Sequence, residues 1–452
     1  MTDHAITMSD RLDLDSFADI AARAAATDAD GLIAPESWKE VVDSGYTRMF
    51  HSVEHGGTGA GPAEIADGME ALARACSGTY WAATVSALLC GKLVAAYGPA
   101  SEHDRLLRPL LSGDHVGCFA IVETLAGSDA ATLRTTVRRS PDGGYVIDGE
   151  KSRITNAPVA DLAVTIARLV PDGPDGLDGP DGDGRRSADQ EATEWCLAFV
   201  NCHQTGVRRY SIPHMGLRGM PWGGIVFDGA HVAECDVVRV PFGQLEGELA
   251  ESMAWGWLLI SISSIGIAAS ALAASVRHAR SRVSFGRPLA HMEGVQDQLA
   301  DSHAQIAAAR TLARRALAER IAGRSARELV AKLKIYATEM AVQVVSRAVQ
   351  IHGALGLTQG SEIERLYRDA QMNVIGGFTS NRLREVVAEG LRLGPAVYRE
   401  FDWLAGSGLD RDPWGFGEAH TRFNPHPGRG GEITRTRLDG TATSGTAGAM
   451  RE

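Results

Sequence analysis

The chain has 452 residues, 44% of them apolar and 22% charged, which suits a soluble globular protein of two or three domains. A net charge of −11 excludes the basic footprint of a nucleic-acid binder. Its six cysteines include no CxxC pair, which argues against a disulfide framework or a metal site and predicts reduced, buried thiols.

The N-terminus, "MTDHAITMSDRLDLDSF", has neither a basic stretch nor an apolar core, so no signal peptide is expected and a cytoplasmic location is. Residues 1–117 read as a helical domain. "PAEIADGMEALARACSGTYWAATVSALLCGKLVAAYG" keeps apolar residues at helical spacing behind the glycine-rich loop "VEHGGTGAG". Residues 118–243 change period. Short alternating, β-branched segments such as "GGYVIDGEKSRITNA" and "GGIVFDGAHV" predict a β-domain. Inside it, residues 171–193 form a near-repeat of Pro-Asp-Gly that has nothing to build a core, and a flexible insertion is expected. Residues 244–405 return to long Ala- and Arg-rich helical segments, as in a bundle. The run "WGWLLISISSIGIAASALAAS" from Trp255 is long enough to span a membrane, but Ser and Gly interrupt it, so a buried bundle helix is expected. Residues 406–452, rich in Gly, Pro and Thr, predict a disordered tail. The fold class is mainly α with a β middle domain.

Five segments hold residue types that can carry chemistry. In "CFAIVETLAGSDAATLRTT" (118–136), Gly127, Ser128 and Asp129 follow a strand, where free N–H groups and a hydroxyl can meet an anionic ligand or make a plain turn. "RITNA" (153–157) puts the Thr155 hydroxyl at a strand end. "RSRVSFGRPLAHMEGVQDQLAD" (280–301) ends a helix at Phe285-Gly286 and begins another after Pro288. There Arg282, Phe285 and Gln296 offer a cation, a ring and an amide, a set that suits a pyrophosphate and a purine or an ordinary helical corner. In "QIHGALGLTQGSEIERLYRDA" (350–370), Gly353 and Gly356 interrupt a helical pattern at about 1 kcal/mol each relative to Ala, which predicts close backbone approach. Glu364, Arg365, Arg368 and Asp369 read as structural ion pairs. Last comes "RDAQMNVIGGFTSNRLRE" (368–385), with two adjacent glycines in a turn.

In order and spacing these segments resemble the acyl-CoA dehydrogenase family from roughly Leu12 to Gly394. The resemblance implies a helical N-terminal domain, a β-barrel-like middle domain and a C-terminal four-helix bundle, usually in a homotetramer, with FAD held between middle domain and bundle. It implies that Val122, Gly127, Ser128 and Thr155 contact the flavin or its phosphates. Arg282, Phe285 and Gln296 would hold the adenine half from a neighbouring subunit, and Gln350, Gly353, Gly356, Thr379 and Asn381 would face the cofactor in the same way. The substrate would be an acyl thioester, on CoA or a carrier protein, and the electrons would pass to an acceptor or to O2.

Against that pattern the reaction face is altered. Most of the family has Tyr-Glu-Gly-Thr at the turn, the Glu removing the α-proton. With Thr379 in register, Gly377 stands at the position of that base. Some members draw the base from the helix before the Arg-x-x-Phe-Gly motif, and that position is Gly256, with Trp257 where an Arg is frequent. The Thr of the family's Thr-Glu-Pro is Val122, its Pro is Thr124, and the Trp that covers the flavin is Arg153.

Three accounts follow. A base is relocated to Glu123, Asp129 or His352. Or the substrate, a β-keto acid or another acid with a leaving carboxylate, makes its own enolate by decarboxylation beside Arg153, as in natural-product pathways where desaturation or oxygenation follows. Or the chain is a non-catalytic flavin-binding subunit or a flavin-dependent monooxygenase. The expectation is an FAD-dependent oxidoreductase with non-standard chemistry, in secondary metabolism.

Overall fold

The computed structural model describes residues 17–125, 133–170, 194–240 and 242–393. Ile20, Ala24 and Thr27 bury one face of α1 (Ala18–Asp30), which stops at Gly31 because that residue takes φ 68. Prolines open α2 (Pro35–Asp43) and α3 (Pro62–Ala75), where their fixed φ suits a first turn. α4 (Ser77–Thr84), a π-helical segment Val85–Cys90 and α5 (Gly91–Tyr97) continue one another as an apolar rod. Within the π segment the Ala87 carbonyl accepts Nε2–H of buried His51 at 2.8 Å, and burial holds that imidazole down to about 4, so it is neutral. Two short helices, α6 (His103–Leu106) and α7 (Arg108–Ser112), lead into the sheet.

The strands are β1 (Gly117–Ala120), β2 (Thr136–Arg139), β3 (Tyr145–Thr155), β4 (Leu162–Leu169), β5 (Glu194–Asn201), β6 (Val207–Ser211), β7 (Trp222–Val232) and β8 (Val237–Val240). They form one eight-stranded sheet in the order β6-β7-β3-β2-β4-β5-β8, with β1 pairing β4 in parallel. β4 and β5 are buried on both faces. Leu162, Val164, Ile166, Leu197 and Phe199 face the helices, while Ala163, Ala167, Cys196, Ala198 and Val200 enter a second core. Val207 of β6 and Val237 of β8 both reach that second core, so the sheet wraps round it in the expected barrel-like manner.

The bundle starts with α8 (Phe242–Ser281), followed by the small hairpin β9 (Val283–Ser284) and β10 (Arg287–Pro288). The sequence predicted a helix as far as Phe285-Gly286. It ends four residues earlier because Phe285 (φ 50) and Gly286 (φ 74) make the tight turn of that hairpin. α9 (Glu293–Ile321), α10 (Arg327–His352), a single turn α11 (Ala354–Leu357), α12 (Glu362–Ile375) and α13 (Ser380–Gly390) complete it. Segments 77–97 and 253–281 are long and apolar enough to cross a bilayer, but most of each is buried in this core. All six cysteines are free and five are buried, as expected. The insertion 171–193 and the tail 406–452 lie outside the described residues.

Candidate functional site

Four elements converge on α4. Asn156, left-handed at φ 68 where β3 ends, donates Nδ2–H to the carbonyls of Ala82 and Gly117, each at 2.9 Å. The neighbouring Trp81 donates Nε1–H to Ser263 Oγ of α8 at 3.1 Å, and Asn373 of α12 donates to Ser263 and Ser264 at 3.0 Å. The same Trp81 ring flanks the double-glycine turn: a Cβ on Gly376 would lie 3.7 Å from its Cη2. The end of β3 and the turn are thereby anchored on adjacent residues of one helix.

At that strand end the structure groups Val122, Arg153 and Thr155. The Val122 carbonyl accepts Ser152 N–H at 2.9 Å, and the next residue, Arg153, sits in a β-bulge at φ 60 with its side chain exposed. Thr155 is half-buried, and its hydroxyl meets only the Met220 thioether, at 3.4 Å. Gly127, Ser128 and Asp129 lie outside the described residues.

At the turn, Gly377 has φ 59 and Phe378 φ 76. Thr379 caps α13, its hydroxyl accepting Arg382 N–H at 3.4 Å, and Asn381 Oδ1 accepts from Arg384 at 3.2 Å. The turn is held from below by Lys334 of α10, which is 0% exposed and donates Nζ–H to the carbonyls of Val374 (3.0 Å) and Phe378 (2.7 Å). Burial lowers that ammonium to about 8, with only a weak opposing pull from Glu339. Where the family's carboxylate would project, the space is apolar. A Cβ on Gly377 would lie 2.6 Å from Ile260 Cδ1 and 3.4 Å from Trp257 Cδ1, and the Phe378 ring packs on Trp257 with centroids 6.1 Å apart. Trp257 is 1% exposed and its Nε1–H has no acceptor among the described residues. Gly256 differs, since a Cβ there would have nothing within 4 Å.

Of the expected stand-ins for the base, Glu123 is occupied, His352 is tied through one ring nitrogen, and Asp129 lies outside the described residues. Glu123 accepts from the N–H groups of Arg134 and Thr135, from the Thr135 hydroxyl and from buried Lys151 at 2.9 Å. Burial pushes its carboxyl up, but Lys151 and Thr135 outweigh this and hold it low, so it is a staple for the 123–135 loop. His352 gives Nδ1–H to the Ala348 carbonyl at 2.8 Å and stacks on His278 at 4.3 Å.

The expected dinucleotide residues lie apart from the turn, on the hairpin and the ends of α9 and α10. Arg282 is exposed and Phe285 is 94% exposed, while Gln296 Nε2–H already serves the Ala290 carbonyl at 2.8 Å. Gln350 is exposed. The two glycines near it have different reasons. Gly353 takes φ 60, ψ −136, a conformation reserved for glycine, with open space at its Cβ. Gly356 is the close approach, its Cβ position 2.9 Å from the Val349 carbonyl.

Of the four charges expected to pair, Arg368 and Glu364 form a structural ion pair. Arg368 grips Asp28 of α1, Glu364 of its own helix and the Met215 carbonyl, joining three parts of the chain. Asp369 accepts the Leu217 N–H, and burial raises its carboxyl to about 6. It lines a small crevice with Thr27, Asp28, Cys76, Arg218 and Arg365, which does not include the double-glycine turn.

Sequence reasoning passed over Lys334, Trp81, Asn156 and Ile260. Only Lys334 left a trace, as a cation on the buried stripe of Val330, Ala337 and Ala341.

Helical front, wrapped sheet and bundle define a flavoprotein of the acyl-CoA dehydrogenase type. The sequence models of that family's N-terminal (residues 15–114), middle (118–230) and C-terminal (249–392) domains all match. The chain belongs to the acyl-CoA dehydrogenase family and is an FAD-dependent oxidoreductase. It is 30% identical to benzylmalonyl-CoA dehydrogenase of Aromatoleum aromaticum over 82% of this chain and 93% of that one. It is 28% identical to L-prolyl-[peptidyl-carrier protein] dehydrogenase of Pseudomonas fluorescens, over 79% of this chain and 90% of that one. Its fold matches butyryl-CoA dehydrogenase from Megasphaera elsdenii, with TM-score 0.76 and 24% identity, over 87% of this chain and all of the other.

The donors present fit FAD. Thr155 has a hydroxyl satisfied only by a thioether, and Arg153 and Arg282 have guanidinium groups without a side-chain hydrogen bond among the described residues. Phe285 presents a bare ring, and the two-glycine turn keeps backbone, not side chain, at the face.

Proposed function

We propose that this oxidoreductase acts on acyl thioesters whose α-carbon carries a carboxylate, and that loss of carbon dioxide replaces proton abstraction by a base. One observation carries the reading. Both family positions for the base are glycines, and at Gly377 the space is filled by Ile260 and Trp257. General-base catalysis is typically worth about 10²–10⁴-fold, so a chain without one needs another route to the enolate.

Decarboxylation provides that route. The bond from the α-carbon to the carboxylate breaks, its electron pair spreads onto the thioester carbonyl oxygen, and neutral carbon dioxide leaves. In this reading Arg153, exposed beside Val122 and Thr155, steadies the negative charge on that oxygen. Thr155 and Val122 position the ring system, Lys334 fixes the turn, and the wall of Ile260, Trp257 and Phe378 keeps water from the α-carbon. Bound FAD would supply a hydride acceptor, the chemistry by which the enolate would become an α,β-unsaturated thioester.

The relative named for benzylmalonyl-CoA supports the substrate class, because any malonyl thioester carries a carboxylate on the α-carbon. The relative named for a carrier-bound prolyl group supports a carrier-protein thioester in secondary metabolism as the alternative to CoA.

The test is anaerobic mixing of the purified holoenzyme with benzylmalonyl-CoA and, separately, 3-phenylpropanoyl-CoA, the same thioester without the carboxylate. The expected result is bleaching of the flavin absorbance by the first alone, with one carbon dioxide per flavin. Equal bleaching by 3-phenylpropanoyl-CoA would overturn the reading.

A further inference from the structure

An indole N–H buried in a protein interior normally finds an acceptor, because leaving it unpaired forfeits its hydration without return. Trp257 is 1% exposed, and its Nε1–H has no partner among the described residues. The edge of the ring that bears it faces the double-glycine turn: Cδ1 lies 3.4 Å and Nε1 3.9 Å from the Cβ position of Gly377. The rest of that wall is apolar, with Ile260 Cδ1 at 2.6 Å from the same point and the Phe378 ring packed on the indole. A group at this position must reach the α-proton in a family member that uses a base. Trp257 Nε1, 3.9 Å from the Cβ position at the root of such a group, is within a side chain's reach of whatever replaces that proton in the substrate.

We infer that Trp257 Nε1–H is the hydrogen-bond donor for the α-carboxylate of the substrate, set beside Gly377 at the turn from which most of the family projects its base. The inference rests on the substrate class proposed above. The chemistry suits a carboxylate that has to leave. A guanidinium at this point would hold the anion as a charged pair and oppose its loss. One neutral N–H orients the carboxylate perpendicular to the forming enolate, while the apolar wall withholds further solvation from it and accommodates neutral carbon dioxide. Lys334 bears on the geometry only through the turn, since both of its hydrogen bonds go to turn carbonyls.

The experiment is Trp257→Phe, which keeps the ring wall and removes the donor. Binding is read by anaerobic calorimetric titration of the photoreduced holoenzyme with benzylmalonyl-CoA and with 3-phenylpropanoyl-CoA, so it does not depend on turnover. Loss of one hydrogen bond to a charged acceptor predicts about 10- to 100-fold weaker binding of benzylmalonyl-CoA, with 3-phenylpropanoyl-CoA unchanged. Equal weakening of both would make the ring a wall and nothing more, and no weakening of either would also overturn the inference. If the variant loses its FAD or does not fold, Trp257→3-benzothienylalanine repeats the test with the same shape and sulfur in place of N–H. Selective binding of benzylmalonyl-CoA by the parent enzyme without bleaching would remove the proposed reaction and leave the donor role standing. Preference of the parent enzyme for 3-phenylpropanoyl-CoA would remove both.

Discussion

At Gly377 two separate effects oppose a side chain. The backbone is left-handed at φ 59, and a Cβ would press on Ile260 at 2.6 Å. Ile260 Cδ1 is a terminal methyl that can turn aside, so Gly377→Glu should lower stability by about 1–2 kcal/mol, chiefly from the backbone, and should not restore oxidation of saturated acyl-CoA. Thermal melting and anaerobic bleaching read the two halves of that expectation. Gly256 sits in α8 with nothing within 4 Å of its Cβ, so Gly256→Glu meets no steric barrier. Of the two, only Gly256→Glu is expected to gain bleaching by 3-phenylpropanoyl-CoA. Gain by Gly377→Glu instead would show that the turn still presents a working base position. The vacancy at Gly377 was legible in the sequence from register alone. What fills it was not, because Trp257 and Ile260 lie more than a hundred residues away in the chain.

Elements hold the site through a few polar ties. Lys334 links α10 to the turn between α12 and α13, and its position near 8 lies below the ordinary 10.5. Between those values the unfolded chain binds more protons, so the lysine's contribution to stability rises as pH goes from about 8 to 10.5 and is least favourable below 8. Denaturant unfolding at a series of pH values should show the parent gaining on Lys334→Met over that window. A flat difference would mean the ammonium is not suppressed. Lys151 is common to both proteins and cancels.

Arg368 makes paired contacts to Asp28 and Glu364 from a side chain only 13% exposed. Arg368→Ala leaves two carboxylates together without their cation and should cost about 3 kcal/mol or more. Arg368→Lys should recover only part of this, because an ammonium cannot meet two carboxylates side-on. Full recovery in a melting experiment would reduce Arg368 to a point charge. The sequence showed these charges as a structural cluster, yet the partner on α1 lies 340 positions away, beyond the reach of local spacing.

On the scale of the molecule, large apolar side chains stand exposed on one stretch of the bundle. They include Val283, Phe285, Leu355 and Leu357, on the hairpin and on α11. We propose that this stretch is a subunit contact that completes the dinucleotide site, as the homotetramer implied by the family resemblance would require. Phe285→Ser should then release FAD on gel filtration while leaving the protein's helical content intact. Retention of FAD at full occupancy would remove the ring from the cofactor site. The order of helices, sheet and bundle could be read without coordinates because periods of 3.6 and 2 are local properties of the chain. The hairpin at Phe285 could not, since two positive φ values there belong to a turn that the helical pattern around it conceals. By itself the sequence determined the family and the three-part architecture, both of which depend on residue identity in register. Only the tertiary structure decided that Glu123 is already bound, that Lys334 supports the turn, and that an indole N–H unpaired among the described residues faces it. Those facts depend on which distant side chains share a neighbourhood, and burial and hydrogen-bond satisfaction are properties of the packed neighbourhood alone.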